Sequence, residues 1–224
     1  EQKIKASIIG AGPSGLSCAY FLAKAGIEVT IYESKPKAGG MVSAAIPSFR
    51  LSYEAIDIDI NNIIKLGVKI IYNSHVDKAL FTQLREQSDF IYIGAGAMKS
   101  KKLQLQNNDI STALDPLDFL YKVKKGEPTN IGKNVVIIGG GNTAMDAART
   151  VYRLVGINGK VTIVYRRSIK QMPADLGEIK AVLEEGIEIL ELSSPIKLNT
   201  KNGKPVSLLC SKMKLGPKDS SGRA

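Results

Sequence analysis

Apolar residues along this chain alternate between short unbroken runs and helical spacing, and the alternation starts over midway. Residues 4–9 form an apolar run that ends at Gly10 and predicts a strand. Residues 14–25 place Leu16, Ala19, Leu22 and Ala23 at helical spacing before Gly26 stops them, and residues 28–33 predict a second strand. Strand, glycine turn, helix and strand make a βαβ unit, whose parallel pairing requires a right-handed crossover with the helix packed on the sheet. A helix over residues 53–66 follows, with Ile56, Ile60, Ile63 and Ile64 on one face, and then strands over 68–72 and 89–93. Asp115-Pro116 reads as a helix N-cap followed by proline at the first helical position, opening residues 117–125. After a glycine-flanked loop over 126–132 the pattern restarts. It gives a strand over 134–138, a helix over 142–155, a strand over 160–165, a helix over 175–185 and a strand over 187–192. Residues 196–200 and 206–213 flank Asn202-Gly203, a hairpin signal. The expected fold class is α/β, with two Rossmann-like dinucleotide-binding domains over residues 1–110 and 111–224, the second carrying the hairpin.

The two glycine clusters give this architecture its chemistry. Gly10-Ala11-Gly12-Pro13-Ser14-Gly15 matches G-x-G-x-x-G directly after a strand and before a helix. In that pattern Gly10 makes the tight turn, Gly12 lets a pyrophosphate approach the backbone, and Gly15 lets the helix pack closely on the sheet. The helix N-terminus then offers unpaired N–H groups and the positive end of its dipole to a diphosphate. Glu33, closing the second strand, is expected to accept hydrogen bonds from ribose hydroxyls. The motif by itself does not separate FAD from NAD.

Gly139-Gly140-Gly141-Asn142-Thr143-Ala144 repeats the device in its G-x-G-x-x-A form. Where the first unit ends in Glu33, this one ends in Tyr165-Arg166-Arg167. An acid that would repel a 2′-phosphate is absent and two guanidinium groups that would attract one are present, which reads as NADP recognition. Two sites of opposite charge logic predict two cofactors that exchange electrons, NADPH and, for the other, FAD.

Composition narrows the remaining classes. The 224 residues are 44% hydrophobic and 23% charged, those of an ordinary globular chain. No apolar run approaches the length of a membrane span and no charged leader precedes an apolar stretch, so a cytoplasmic protein without membrane contact is expected. The formal charge of +10 gathers at Lys99-Ser100-Lys101-Lys102, at Arg166-Arg167 and along residues 197–223, which suits phosphates or an acidic partner. With no tryptophan, five Phe and eight Tyr not interleaved with the basic residues, nucleic acid is not an expected partner. Cys18 and Cys210 form no C-x-x-C, the pair that a thiol enzyme of the thioredoxin-reductase type requires, and no metal-ligand spacing occurs.

At this point the residues carry a resemblance. The stretch from Gly10 to Gly40, the element Ile46-Pro47-Ser48-Phe49-Arg50-Leu51, GGGNTAMDAAR and VTIVYRRSIKQMPAD together resemble the small (beta) subunit of glutamate synthase and its relatives. The pattern is also similar to the flavin-containing half of dihydropyrimidine dehydrogenase. I-P-x-F-R-L and Y-R-R-x-x-x-x-M-P are more specific than either glycine motif. The resemblance implies an NADPH:FAD oxidoreductase that passes electrons to an iron–sulfur subunit or domain, the clusters lying in flanking or partner segments. By that resemblance Gly10, Ala11, Gly12, Pro13, Ser14, Gly15, Glu33, Gly39, Gly40, Met41, Arg50 and Val76 would contact FAD. Gly140, Gly141, Asn142, Thr143, Arg166 and Arg167 would contact NADPH, with Lys170 a further candidate. Gly94-Ala95-Gly96 would be the crossing between domains or a plain loop, and Arg50 a diphosphate partner or a surface ion-pair member. Hydride transfer between the two cofactors needs no general base, so the lone His75 is not expected to act and no catalytic side chain is assigned.

The same resemblance implies a return to the flavin domain after the NADP domain, and this sequence carries no such segment. The first domain is therefore expected to be incomplete. Three readings stay open: an oxidoreductase segment, a nucleotide-binding module without activity of its own and, lacking the C-x-x-C its chemistry requires, a thioredoxin-reductase-like thiol enzyme. Association with another copy of the chain is a further expectation, as a way to cover an exposed sheet.

Overall fold

The computed structural model describes residues 4–98, 100, 103, 105–106, 113–220 and 222. The expected boundary at residues 110/111, and Lys99, Lys101, Lys102 and Arg223 of the basic clusters, lie outside the described residues. The chain divides into two compact units, Glu1–Lys99 and Ser100–Ala224.

The first unit runs β1 (Lys5–Ile9), α1 (Pro13–Lys24), β2 (Glu28–Tyr32), α2 (Met41–Ala44), α3 (Tyr53–Lys65), β3 (Lys69–Ile71), α4 (Lys78–Gln87) and β4 (Phe90–Ile93). Its four strands pair in parallel in the order β3-β2-β1-β4. The chain leaves β1 toward β2 on one side and returns as β4 on the other. The crevice beyond the carboxyl ends of β1 and β4 is therefore the switch point at which open α/β sheets bind ligands. The core joins Ala6, Ile8, Val29 and Ile31 of the sheet to Leu16 and Ala19 of α1 and Ile56 and Ile60 of α3. The isoleucines expected from periodicity at 56 and 60 are buried, while Ile64 is 40% exposed.

The second unit contains α5 (Pro116–Lys124), β5 (Asn134–Ile138), α6 (Asn142–Val155), β6 (Lys160–Val164), α7 (Leu176–Glu184), β7 (Glu188–Leu190), β8 (Ser193–Lys201) and β9 (Lys204–Lys212). Two short 3-10 turns, Gly156–Asn158 and Ile169–Gln171, flank β6. Strands β5, β6 and β7 form a parallel sheet in that order, and β8 and β9 form a separate antiparallel pair. Met145, Ala148 and Val151 of α6 pack with Ile163 of β6 and Val182 of α7 as fully or nearly fully buried side chains. Asn202 (φ 52°) and Gly203 (φ 71°) both adopt the left-handed conformation that a two-residue hairpin turn requires.

Several expected bounds shift. The strands expected over 68–72 and 187–192 shorten to Lys69–Ile71 and Glu188–Leu190, because each pairs with one neighbour only and is held by the ladder alone. The hairpin arms expected over 196–200 and 206–213 become Ser193–Lys201 and Lys204–Lys212. The strands expected to end at 33 and 165 stop one residue earlier, although the N–H groups of Glu33 and Tyr165 still donate to the neighbouring strand, at Ile71 O and Leu190 O. Helices expected over 14–25, 53–66, 117–125 and 175–185 shift by a residue at their ends, as helix assignments ordinarily do. Helices α2 and α4 were not expected from the sequence. Only Leu84 of α4 is buried, with half-buried Leu80 and Phe81 beside it at helical spacing. Asp77 marks its start, its carboxylate accepting the Leu80 N–H at 2.9 Å.

Candidate functional site

At the first turn the chain leaves β1 through Gly10, whose N–H donates to Tyr32 O at 2.8 Å and whose φ of 97° lies in the left-handed region. A methyl group added at Gly10 would stand 2.5 Å from Gly94 O, and one at Gly15 only 1.9 Å from Gly10 O. Gly10, Gly15 and Gly94 are thus brought backbone to backbone, and helix α1 lies as close to the sheet as a chain can. Gly12 faces a different neighbour. Its own added methyl would meet only Gly40 Cα, at 3.9 Å, while one at Gly40 would stand 2.9 Å from Gly12 Cα. The Gly39 N–H donates to Ala11 O at 2.7 Å and ties this second loop, with Met41 opening α2, to the glycine turn. The result is a cradle walled by bare backbone on both sides. Beside it Pro13 opens α1 and Ser14 Oγ shares a hydrogen bond with Tyr92 Oη at 2.7 Å.

Glu33 closes this turn from the next strand. Its side chain is buried, at 7% exposure; Oε2 accepts the Ala11 N–H at 2.7 Å, and Oε1 accepts the Lys35 N–H at 2.8 Å and the Ser34 hydroxyl at 3.3 Å. The residue expected to hold a ribose therefore also holds the glycine loop, a partnership the sequence does not announce. A carboxylate offers about four acceptor positions, so room for a further donor remains. Burial raises the Tyr72 phenol above its ordinary value, and the charges of Asp57 and Glu33 add to the rise. Ser74 N–H donates to Glu33 O at 2.8 Å, which carries half-buried Val76 along the same edge. Arg50 stands on an exposed turn before α3, its backbone N–H on Pro47 O at 3.0 Å, outside the backbone framework of the cradle. Gly96 is exposed with open space around it.

The second turn uses the same backbone bond with different neighbours. Gly139 N–H donates to Val164 O at 3.1 Å. A methyl at Gly140 would stand 2.6 Å from the ring of Tyr165, which is buried at 7% exposure and donates its hydroxyl to Gln171 O at 2.9 Å. Gly141 has nothing within 4 Å of its Cβ direction, so its face is open to an approaching ligand. Asn142 Oδ1 accepts the Asp175 N–H at 2.8 Å and ties the start of α6 to the start of α7, while Thr143 is exposed. Beyond Tyr165 the two arginines part. Arg166 is exposed; Arg167 has a side chain only 13% exposed and pairs with Asp219. Lys170 is exposed on the following 3-10 turn.

Helix caps separate these two turns from the rest of the fold. Helices α3, α4, α5 and α7 are N-capped by Ser52, Asp77, Asp115 and Asp175, each accepting a backbone N–H of the first turn. Helices α1 and α6 have glycine N-caps, no side-chain acceptor and no acid in the first turn. Those N-termini keep their positive end available to an anion, and the four-residue α2, capped by Gly40, likewise has no side-chain cap and no first-turn acid. Among the described residues no cluster of His, Cys, Asp and Glu could hold a metal ion, and no helix is long and apolar enough to cross a membrane. Cys18 and Cys210 are free and partly buried, and burial raises both thiols above their ordinary value.

Two parallel-sheet units, each with a glycine turn feeding an uncapped helix, define a protein built to hold dinucleotides. The chain belongs to the pyridine nucleotide-disulphide oxidoreductase family, which it matches over residues 4–215. It is 38% identical to the NADPH-Fe(3+) oxidoreductase subunit beta of Geobacter sulfurreducens, over 100% of this chain and 34% of that protein. It is 31% identical to the glutamate synthase [NADPH] small chain of Escherichia coli, over 98% of this chain and 49% of that one. The chain thus spans between a third and a half of the length of these curated relatives. The structure of Mycobacterium tuberculosis FprA in complex with NADPH superposes with a TM-score of 0.82 at 19% identity, over 99% of this chain and 66% of that chain, a likeness of fold. The resemblance to glutamate synthase small subunits carried by the I-P-x-F-R-L and Y-R-R elements agrees with these relatives.

Proposed function

We propose that this chain is the cofactor-handling part of an NADPH-dependent flavoprotein oxidoreductase. In this reading the first unit holds FAD, the second holds NADPH, and electrons pass on to an iron–sulfur-containing subunit or domain. One observation carries the reading. Glu33 N–H donates to Ile71 O at 2.9 Å and Tyr165 N–H donates to Leu190 O at 3.0 Å, so the two residues occupy the same backbone position in their units. At that position the first unit presents a buried carboxylate and the second a buried aromatic ring followed by Arg166 and Arg167.

A carboxylate there suits ribose hydroxyls and opposes a 2′-phosphate, whereas the arginines favour one. The bare cradle of Gly12 and Gly40, with the open N-terminus of α1, fits a diphosphate that side chains would exclude. Gly141 and the open N-terminus of α6 fit a second. When bound, NADPH supplies a hydride and FAD accepts it. The residues of this chain bind and orient; none is required to move a proton. In the purified full-length protein we expect a bound flavin, visible in its absorbance and bleached anaerobically by NADPH at concentrations where NADH does little. A colourless protein that binds NADPH and NADH equally would overturn the reading. NADPH binding without flavin would favour a nucleotide-binding module.

A further inference from the structure

The two arginines after β6 stand in different surroundings. Arg166 is exposed and forms no ion pair among the described residues. Arg167 is held at three points: its side chain is 13% exposed, its guanidinium pairs with the Asp219 carboxylate, and its backbone O accepts the Leu192 N–H at 3.1 Å. The surrounding chain is tied down in the same way. Ile169 N–H donates to Glu191 Oε2 at 2.7 Å, and Met213 N–H donates to Leu192 O at 2.7 Å where the segment after β9 passes. Asp219 is the only carboxylate in the sequence after Glu191, in a stretch that otherwise carries lysines at 197, 201, 204, 212, 214 and 218. The one acid of a basic tail therefore meets the less exposed of the two arginines.

We propose that the two arginines divide their work. Arg166 reads the charge of the 2′-phosphate, and Arg167 with Asp219 is a clasp that anchors the tail after β9 to the end of β6. This inference rests on the NADPH reading of the second unit. A phosphate reaching Arg167 would have to displace a carboxylate already engaged with a largely buried guanidinium, whereas at Arg166 it displaces only water. Asp219 is accordingly a positioning residue: it keeps Arg167 turned to the tail and leaves the phosphate to its neighbour.

The test uses Arg166→Ala, Arg167→Ala and Asp219→Asn in the full-length protein, with NADPH and NADH titrations and limited trypsin cleavage after Lys214 followed by mass spectrometry. Arg166→Ala should weaken NADPH about ten- to a hundredfold, the loss of one charge-assisted hydrogen bond, and leave NADH unchanged. Arg167→Ala and Asp219→Asn should change NADPH affinity about fivefold or less while speeding cleavage after Lys214 about fivefold, through a more populated open tail. Asp219→Asn keeps the guanidinium and serves if Arg167→Ala folds poorly. An Arg167→Ala loss of NADPH as large as that of Arg166→Ala, with cleavage unchanged, would overturn the division. So would a gain in NADPH affinity in Asp219→Asn, which would make Asp219 a competitor of the phosphate. Equal wild-type affinity for NADPH and NADH would instead sink the NADPH reading, and the cleavage rates would still decide the clasp.

Discussion

The two glycine turns share a backbone and differ in what presses on it. In each, the first glycine donates its N–H to the last residue of the neighbouring strand, Gly10 to Tyr32 O and Gly139 to Val164 O. In the first unit the turn is packed against backbone, with Gly94 on one side and Gly40 on the other, and is locked by the Glu33 carboxylate. In the second it leans on the face of Tyr165, whose hydroxyl is anchored to Gln171 O, and its outer side at Gly141 is empty. One frame thus carries different chemistry at the end of its second strand, a buried carboxylate in the first unit and an aromatic ring followed by two arginines in the second. The first setting is also the more rigid, because a neighbouring backbone cannot rotate aside as a side chain can.

Substitutions in the two turns break or sharpen this contrast. Gly15→Ala should be the most damaging, because the added methyl lies 1.9 Å from a backbone oxygen that the sheet holds in place. We expect a loss of about 3 kcal/mol in urea unfolding followed by signals of the first unit. Gly141→Ala adds the same methyl into open space, so stability should change by about 0.5 kcal/mol or less while NADPH binding weakens. Equal stability losses in the two variants would erase the distinction.

Next comes Glu33→Ala. It orphans the N–H groups of Ala11 and Lys35, at a cost of about 2 kcal/mol beyond any loss of flavin. Glu33→Gln keeps one acceptor oxygen and should recover part of that stability, with flavin content and circular dichroism read on the same samples. If Glu33→Ala loses flavin with no change in unfolding midpoint, the carboxylate serves the ligand only.

A smaller effect belongs to the second unit and depends on acid. Arg149 bridges Glu178 at 2.9 Å and Glu185 at 2.8 Å, and Arg153 joins Glu185 at 2.8 Å, clamping α6 to α7. Hydrogen bonding from Arg153, then from Arg149, holds the Glu185 carboxyl below the usual carboxylate range despite its burial. Its folded value is depressed, so its stabilisation is present above the unfolded value of about pH 4.3 and is lost as pH falls through the folded one. Arg149→Met should cost about 1.5 kcal/mol at neutral pH, and the difference from wild type should shrink in urea titrations at about pH 3. A pH-independent difference would mean that packing of the stem, not charge, supplies the clamp. Smaller than the clamp is Tyr165→Phe, which removes one hydroxyl donor at about 1 kcal/mol and keeps the ring under Gly140. A larger loss than in Glu33→Ala would reverse the assignment of the stiffer turn.

Both βαβ units were legible in the sequence because their cores are periodic: Leu16 and Ala19 on α1, and Ala144, Ala148 and Val151 on α6, are buried as spaced. The hairpin was legible from Asn202-Gly203, since few residue pairs tolerate two left-handed positions in succession. Helix α4 offers only Leu80, Phe81 and Leu84 as its apolar stripe, too short a run to separate from a strand by periodicity. At the site, the glycines and strand-end charges could be read, but their partners could not. The bond between Glu33 and Ala11, the bed that Tyr165 makes for Gly140, and the pairing of Arg167 with Asp219 join residues whose types leave no periodic trace. Such contacts are set by where the fold brings the ends of the elements together.

The matched bonds of Gly10 and Gly139 make the molecule its own reference in amide hydrogen exchange. Both protons sit at the mouth of a parallel strand pair and both lead to a carbonyl of the adjacent strand, so solvent, temperature and pH act on them alike. The ratio of their exchange rates therefore isolates what differs between the units. A nucleotide entering one turn slows one proton of the pair, and the unchanged partner reports that the rest of the protein has stayed as it was.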